Sequence, residues 1–148
     1  MIRTAIMGKA AVLLAAVSLV SITGAQTTNS ETQNPAKSVY AELAKVPAKA
    51  ASRHNPLEAD PEAVAAGAKL FEQHCAECHG ANAGGGKKGP SLRAEEVQQA
   101  TPGTLFWLLT NGVVRKGMPV WSRLPEPQRW QLVSYIKSLG RSQALPRQ

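Results

Sequence analysis

The chain has 148 residues, room for one domain with tails, and its 17 Lys and Arg against 10 Asp and Glu give a formal net charge of +7. That excess suits acidic partners or an anionic membrane surface and carries no information about fold. Because the first residues read as an export signal, nucleic acid is excluded as an expected partner.

Arg3 and Lys9 precede an apolar run over residues 10–17, extended by Leu19 and Val20, after which residues 21–25 turn small and polar. This is the pattern of a secretory signal peptide, with cleavage expected after Ala25. The apolar run falls short of the ~20 residues that a spanning helix needs, so an uncleaved anchor is the lesser expectation. Residues 1–25 are therefore read as a signal peptide. The mature chain is expected to be periplasmic or otherwise exported, meeting a membrane only through a partner or an uncleaved signal anchor.

Residues 26–58 are rich in Ala, Thr, Ser, Asn, Lys and Pro, with Val39, Tyr40, Leu43 and Val46 as the sizeable apolar side chains. The composition predicts a flexible polar linker, in which a helical turn or two near Tyr40 is stopped by Pro47. His54 falls in this segment and reads as solvated.

Order is expected from residue 59. Asp60 suits an N-cap, Pro61 the first helical position, and Glu62 the first turn, where the helix dipole favours an acid. Val64, Gly67, Ala68 and Phe71 then repeat at helical spacing, and the helix runs into Cys75. A glycine inside a helix costs about 1 kcal/mol relative to alanine, a cost best explained by a second helix crossing closely at Gly67.

This helix delivers Cys75-Ala76-Glu77-Cys78-His79. Two thiols one turn apart, followed at once by an imidazole, suit covalent attachment of a haem whose iron the histidine reaches from one face. Half of a zinc site and a thioredoxin-like pair are the other uses of Cys-x-x-Cys. Zinc lacks further ligands, since the chain has no other cysteine and only His54 and His74 besides. The redox pair lacks a βαβ pattern around it. An exported chain would oxidise two idle thiols to a disulfide, and thioether bonds to haem would consume them instead.

Gly84-Gly85-Gly86 and Lys87-Lys88-Gly89-Pro90-Ser91-Leu92 follow. With no strand before them and no Gly-Lys-Ser/Thr after, they read as an exposed loop and not a phosphate cradle. Thr101 then caps a predicted helix over residues 102–111, ended by Gly112. A loop holds Gly117-Met118-Pro119-Val120-Trp121. Glu126 and Pro127 open a last helix bearing Leu132, Tyr135, Ile136 and Leu139, expected to close at Gly140 and leave residues 143–148 as a tail. The domain of residues 59–142 is small for a core built of side chains alone, a gap that a haem would fill.

Residues 60–140 resemble a class I c-type cytochrome. The resemblance rests on the Cys75-to-His79 motif at the end of a first helix, on Gly89-Pro90-Ser91-Leu92, and on Met118-Pro119 before a last helix with an aromatic. It implies an all-α cytochrome c fold, about three main helices wrapped around one covalently attached haem c. It also implies thioethers at Cys75 and Cys78, His79 and Met118 as axial iron ligands, and the Pro90 carbonyl as acceptor for the other ring nitrogen of His79. Gly67 and Phe71 would meet Tyr135 where the first and last helices cross.

With both axial positions taken, no site remains for a substrate, and no catalytic residues are expected. The expected function is that of a one-electron carrier between redox protein partners with acidic docking surfaces, not of an enzyme. A haem c subunit of an exported dehydrogenase or oxidase complex is the alternative. A haem enzyme or gas sensor would require Met118 to be off the iron.

Overall fold

The computed structural model describes residues 39–58 and 60–144, with side chains up to residue 141. The signal peptide expected at residues 1–25 lies outside the described residues, as do residues 26–38 of the expected linker. Among the described residues the protein is built of helices without strands: α1 (Ala48–Ala51), α2 (Pro61–His74), α3 (Ala76–His79), α4 (Glu95–Gln99), α5 (Pro102–Asn111) and α6 (Glu126–Ala144). Two 3-10 turns, Leu43–Lys45 and Val114–Lys116, complete them. The three long helices α2, α5 and α6 are those the sequence pattern predicts. No described helix is long and apolar enough to cross a membrane.

The caps act as their chemistry requires. Asp60 accepts from the backbone N–H of Glu62 at 2.8 Å and Thr101 from that of Thr104 at 3.2 Å, each satisfying a donor that a helix start leaves unpaired. In α2 the buried residues are Ala63, Gly67 and Phe71, so the inward stripe follows the i+4 row and leaves Val64 and Ala68 at its margin. That row lies along α6. A Cβ on Gly67 would stand 2.9 Å from Tyr135 Cβ and 2.6 Å from the Gln131 carbonyl carbon, so the two backbones meet there. Beside the crossing, the Phe71 and Tyr135 rings pack with centroids 5.2 Å apart.

The core joins Phe71 to Val97 of α4, Leu105, Phe106 and Leu109 of α5, and Trp130, Leu132, Val133, Ile136 and Leu139 of α6. Phe106 stacks on Trp130 at a centroid distance of 4.0 Å. Burying this apolar surface is the main force that holds the helices together.

Two expectations need correction. The last helix does not stop at Gly140 but continues to Ala144, because the side chain of Gln98 lies against Gly140 and its amide donates to the Leu92 and Ile136 carbonyls, so that tertiary contact supports the helix past its glycine.

The second correction concerns the linker. From residue 39 onward it is packed, not flexible. Asn55 is buried; its amide donates to Ser134 Oγ at 2.8 Å and its carbonyl accepts from the Leu57 N–H at 2.9 Å. The Arg53 guanidinium lies over the Phe106 ring, 4.5 Å from its centroid, and pairs with Glu126 at 2.7 Å. Composition misjudged the segment because polar side chains reach α5 and α6, and its few apolar residues, Tyr40, Leu43 and Leu57, pack on a core built by the rest of the chain. His54 is exposed, as expected.

Candidate functional site

The site begins where α2 ends. Cys75 terminates α2, its N–H still donating to the Phe71 carbonyl at 2.8 Å, and the Cys75 carbonyl accepts from the N–H groups of Cys78 and His79 at 3.1 and 2.9 Å. This single turn puts both sulfurs and the imidazole on one side. Cys75 is buried and Cys78 half-buried, and neither is in a disulfide. Burial, with a smaller contribution from Cys78 nearby, pushes the Cys75 thiol up to about 11, so near neutral pH it is a protonated thiol.

The loop after the motif folds back over His79. Gly85 donates to the His79 carbonyl at 2.8 Å and Leu92 to the Ala83 carbonyl at 2.9 Å. These bonds bring the Pro90 carbonyl to 2.8 Å from His79 Nδ1. A side chain at Gly89 would press on the imidazole, its Cβ 3.1 Å from Cε1 and Nδ1, so glycine there lets the backbone lie against the ring. With Nδ1 engaged by a carbonyl, it carries the proton and leaves Nε2 as the lone-pair donor.

Met118 comes from the other side. Its N–H and carbonyl pair with Val113 at 3.2 and 3.0 Å, an isolated two-residue bridge that fixes the loop closed by the turn Val114–Lys116. Trp121 ties the end of the same loop to α5 by donating to the Leu109 carbonyl at 2.9 Å, and its ring packs beside that of His74.

Cys75, Cys78, His79, Pro90 and Met118 all line one cavity of about 340 Å³. Its remaining walls are mainly apolar, among them Leu92 and Val97, Leu105 and Leu109 of α5, and Ile136 of α6. Sequence reasoning missed the lining residues that come from the expected linker, Tyr40 and Leu43 among them. The spacing of three between these two within a polar stretch was the available signal. Tyr40 donates its hydroxyl to the Ser91 carbonyl at 3.0 Å, and burial, reinforced by Glu96, raises its pKa above the ordinary phenol value. Of the lysines lining the cleft, Lys88 pairs with Glu77 at 2.6 Å and Lys116 stands 3.8 Å from Glu42. Arg93 donates from Nε to the Asn82 carbonyl at 2.6 Å.

The donor set fits haem c: two unoxidised thiols one turn apart, an imidazole with one nitrogen engaged, and a thioether, all facing one apolar cleft. A helical domain with this turn and cleft is that of a class I c-type cytochrome, with haem c as its cofactor and electron transport as its role. Residues 62–136 match the model of the family described as cytochrome C oxidase, cbb3-type, subunit III, and the chain belongs to that family. It is 33% identical over 104 residues to the cbb3-type cytochrome c oxidase subunit CcoP of Rubrivivax gelatinosus, covering 69% of this chain and 32% of that protein. With the cbb3-type cytochrome c oxidase subunit FixP of Sinorhizobium medicae it shares 29% identity over 94 residues, 57% of this chain and 32% of the relative. The chain thus spans about a third of the length of these curated relatives.

Proposed function

We propose that this chain is an electron-transfer subunit working with an exported oxidase complex, passing single electrons through one haem c. The observation that carries the reading is the likeness to two proteins named as cbb3-type oxidase subunits, which favours a subunit over the free carrier expected from the sequence. One haem follows from the single Cys-x-x-Cys-His of the chain. The proposed domain begins near Tyr40, earlier than expected, because residues 39–43 supply part of the cleft wall. Export by residues 1–25 belongs to the same proposal.

In this reading Cys75 and Cys78 would form the thioethers, His79 Nε2 and Met118 Sδ would bind the iron, and haem c would supply reversible one-electron chemistry. The Pro90 carbonyl accepts a hydrogen bond from Nδ1–H, fixing the tautomer and ring plane of His79. The apolar walls keep water from the cleft, which holds down the rearrangement of solvent on each change of charge. With thioether and imidazole both committed, the residues leave no position for a substrate.

The test is purification from cells under mild conditions. Stoichiometric recovery with an oxidase core supports the subunit, whereas a free haem-loaded monomer that reduces a soluble acceptor returns the protein to the carrier reading. Docking on an acidic partner surface is proposed for the exposed Lys87 and Arg115, because the charges of Lys88 and Lys116 already have carboxylate neighbours. Electron transfer should slow as salt shortens the screening length to about 10 Å at 0.1 M. Charge reversal at Lys87 and Arg115 should slow it more than reversal at the exposed Lys69 of α2. Equal effects at all three would leave only net charge at work.

A further inference from the structure

Residues 39–43, read from sequence as linker, touch both loops that carry the cleft's key polar groups. On one side the Tyr40 hydroxyl holds the Ser91 carbonyl at 3.0 Å, one residue beyond the Pro90 carbonyl that engages His79. On the other, the Glu42 carboxylate stands 3.8 Å from the ammonium of Lys116, two residues before Met118, and its 2.8 Å pair with Lys45 keeps it ionised. Between these contacts Tyr40 and Leu43 line the cleft and pack on the apolar core. The segment cannot drift away from its far end, because Arg53 and Asn55 are fixed on α5 and α6.

We propose that residues 40–43 are a clasp, joining the two loops across one edge of the cleft and protecting Met118 from displacement by small ligands. The clasp deepens the function proposed above and rests on its assignment of His79 and Met118 to the iron. A ligand can replace a thioether only after the methionine loop moves aside and a path opens. The Val113–Met118 bridge closes that loop, the Trp121 N–H ties its end to the Leu109 carbonyl of α5, and the Glu42–Lys116 pair ties it to residues 40–43. Leu43 stands in the cleft wall itself, so trimming it opens a path. Tyr40 acts at one remove, through the loop that bears Pro90, and is a positioning residue.

The experiment uses the full haem-loaded chain in its ferric form. Imidazole is added in excess, and loss of the far-red sulfur-to-iron band gives the rate of methionine displacement. Tyr40→Phe removes one hydrogen bond and should raise that rate about fivefold, the factor that an ordinary hydrogen bond represents. Leu43→Ala should raise it further. Leu132→Ala is the comparison, because Leu132 is fully buried but does not line the cleft, and its loss lowers stability without touching the clasp. Unchanged rates in Tyr40→Phe and Leu43→Ala, or an equal rise in Leu132→Ala, overturn the clasp. Absence of the far-red band from the unaltered protein instead overturns the Met118 assignment. The clasp is then judged by how fast imidazole reaches the iron in the same four proteins, with the same order of rates expected.

Discussion

Replacing Gly67 by alanine sets two well-understood effects against each other. In an open helix the change stabilises by about 1 kcal/mol, because alanine loses less backbone freedom on folding. At the crossing of α2 and α6 the new methyl would lie 2.6 Å from the Gln131 carbonyl carbon and 2.9 Å from Tyr135 Cβ. Carbon atoms in good contact stand about 3.5–4.0 Å apart, so the helices must separate by roughly 1 Å. Neither obstacle is the end of a flexible side chain, so no rotamer change relieves the clash. Overpacking of this kind typically costs ~1–3 kcal/mol, and a backbone obstacle places Gly67→Ala at the upper end. After the propensity gain a net loss of about 2 kcal/mol remains, equivalent to a fall in Tm of roughly 10 °C for a domain of this size. The assay is thermal unfolding of the haem-loaded protein followed by circular dichroism, with Gly67→Val expected to be worse still. A Tm for Gly67→Ala equal to or above that of the unaltered protein would refute the reasoning, since propensity would then have won over the crossing.

The other predictions concern the haem site and the segment of residues 39–58. Haem should stay with the denatured protein through extraction by acid and organic solvent, and the double substitution of Cys75 and Cys78 by alanine should abolish this; release of haem from the unaltered protein rejects the thioether assignment. Met118→Ala should remove the far-red ferric band, lower the reduction potential and let carbon monoxide bind the ferrous form. Ready carbon monoxide binding by the unaltered protein would point to a sensor. Asn55→Ala removes the buried donor to Ser134 Oγ, which keeps its own bond to the Leu57 carbonyl, and leaves the Leu57 N–H without its acceptor, and should cost about 1–3 kcal/mol in denaturant unfolding. A change near zero there would mean that the segment does behave as a linker.

The parts of this protein that were legible in the sequence are those set by short-range chemistry. Caps at Asp60 and Thr101, the 3.6-residue repeat of α5 and α6, and the Cys-x-x-Cys-His turn each depend on neighbours within a few residues. Gly67 was readable for a related reason, since a glycine that lowers helix propensity invites a search for a close neighbour. Other features depend on residues far apart in the chain. The i+4 row of α2 that turns inward is selected by where α6 lies, not by α2 alone. Gly140 looks like a helix end until Gln98, 42 positions earlier in the numbering, packs against it. Residues 39–58 have the composition of a linker because their few apolar side chains cannot form a core of their own. They become ordered through Tyr40 on Ser91, Arg53 on Phe106 and Asn55 on Ser134, contacts spanning about 50 to 80 residues that no local pattern encodes. Local chemistry therefore announced the cofactor, while only the tertiary structure decided that Tyr40 and Leu43 line the cleft.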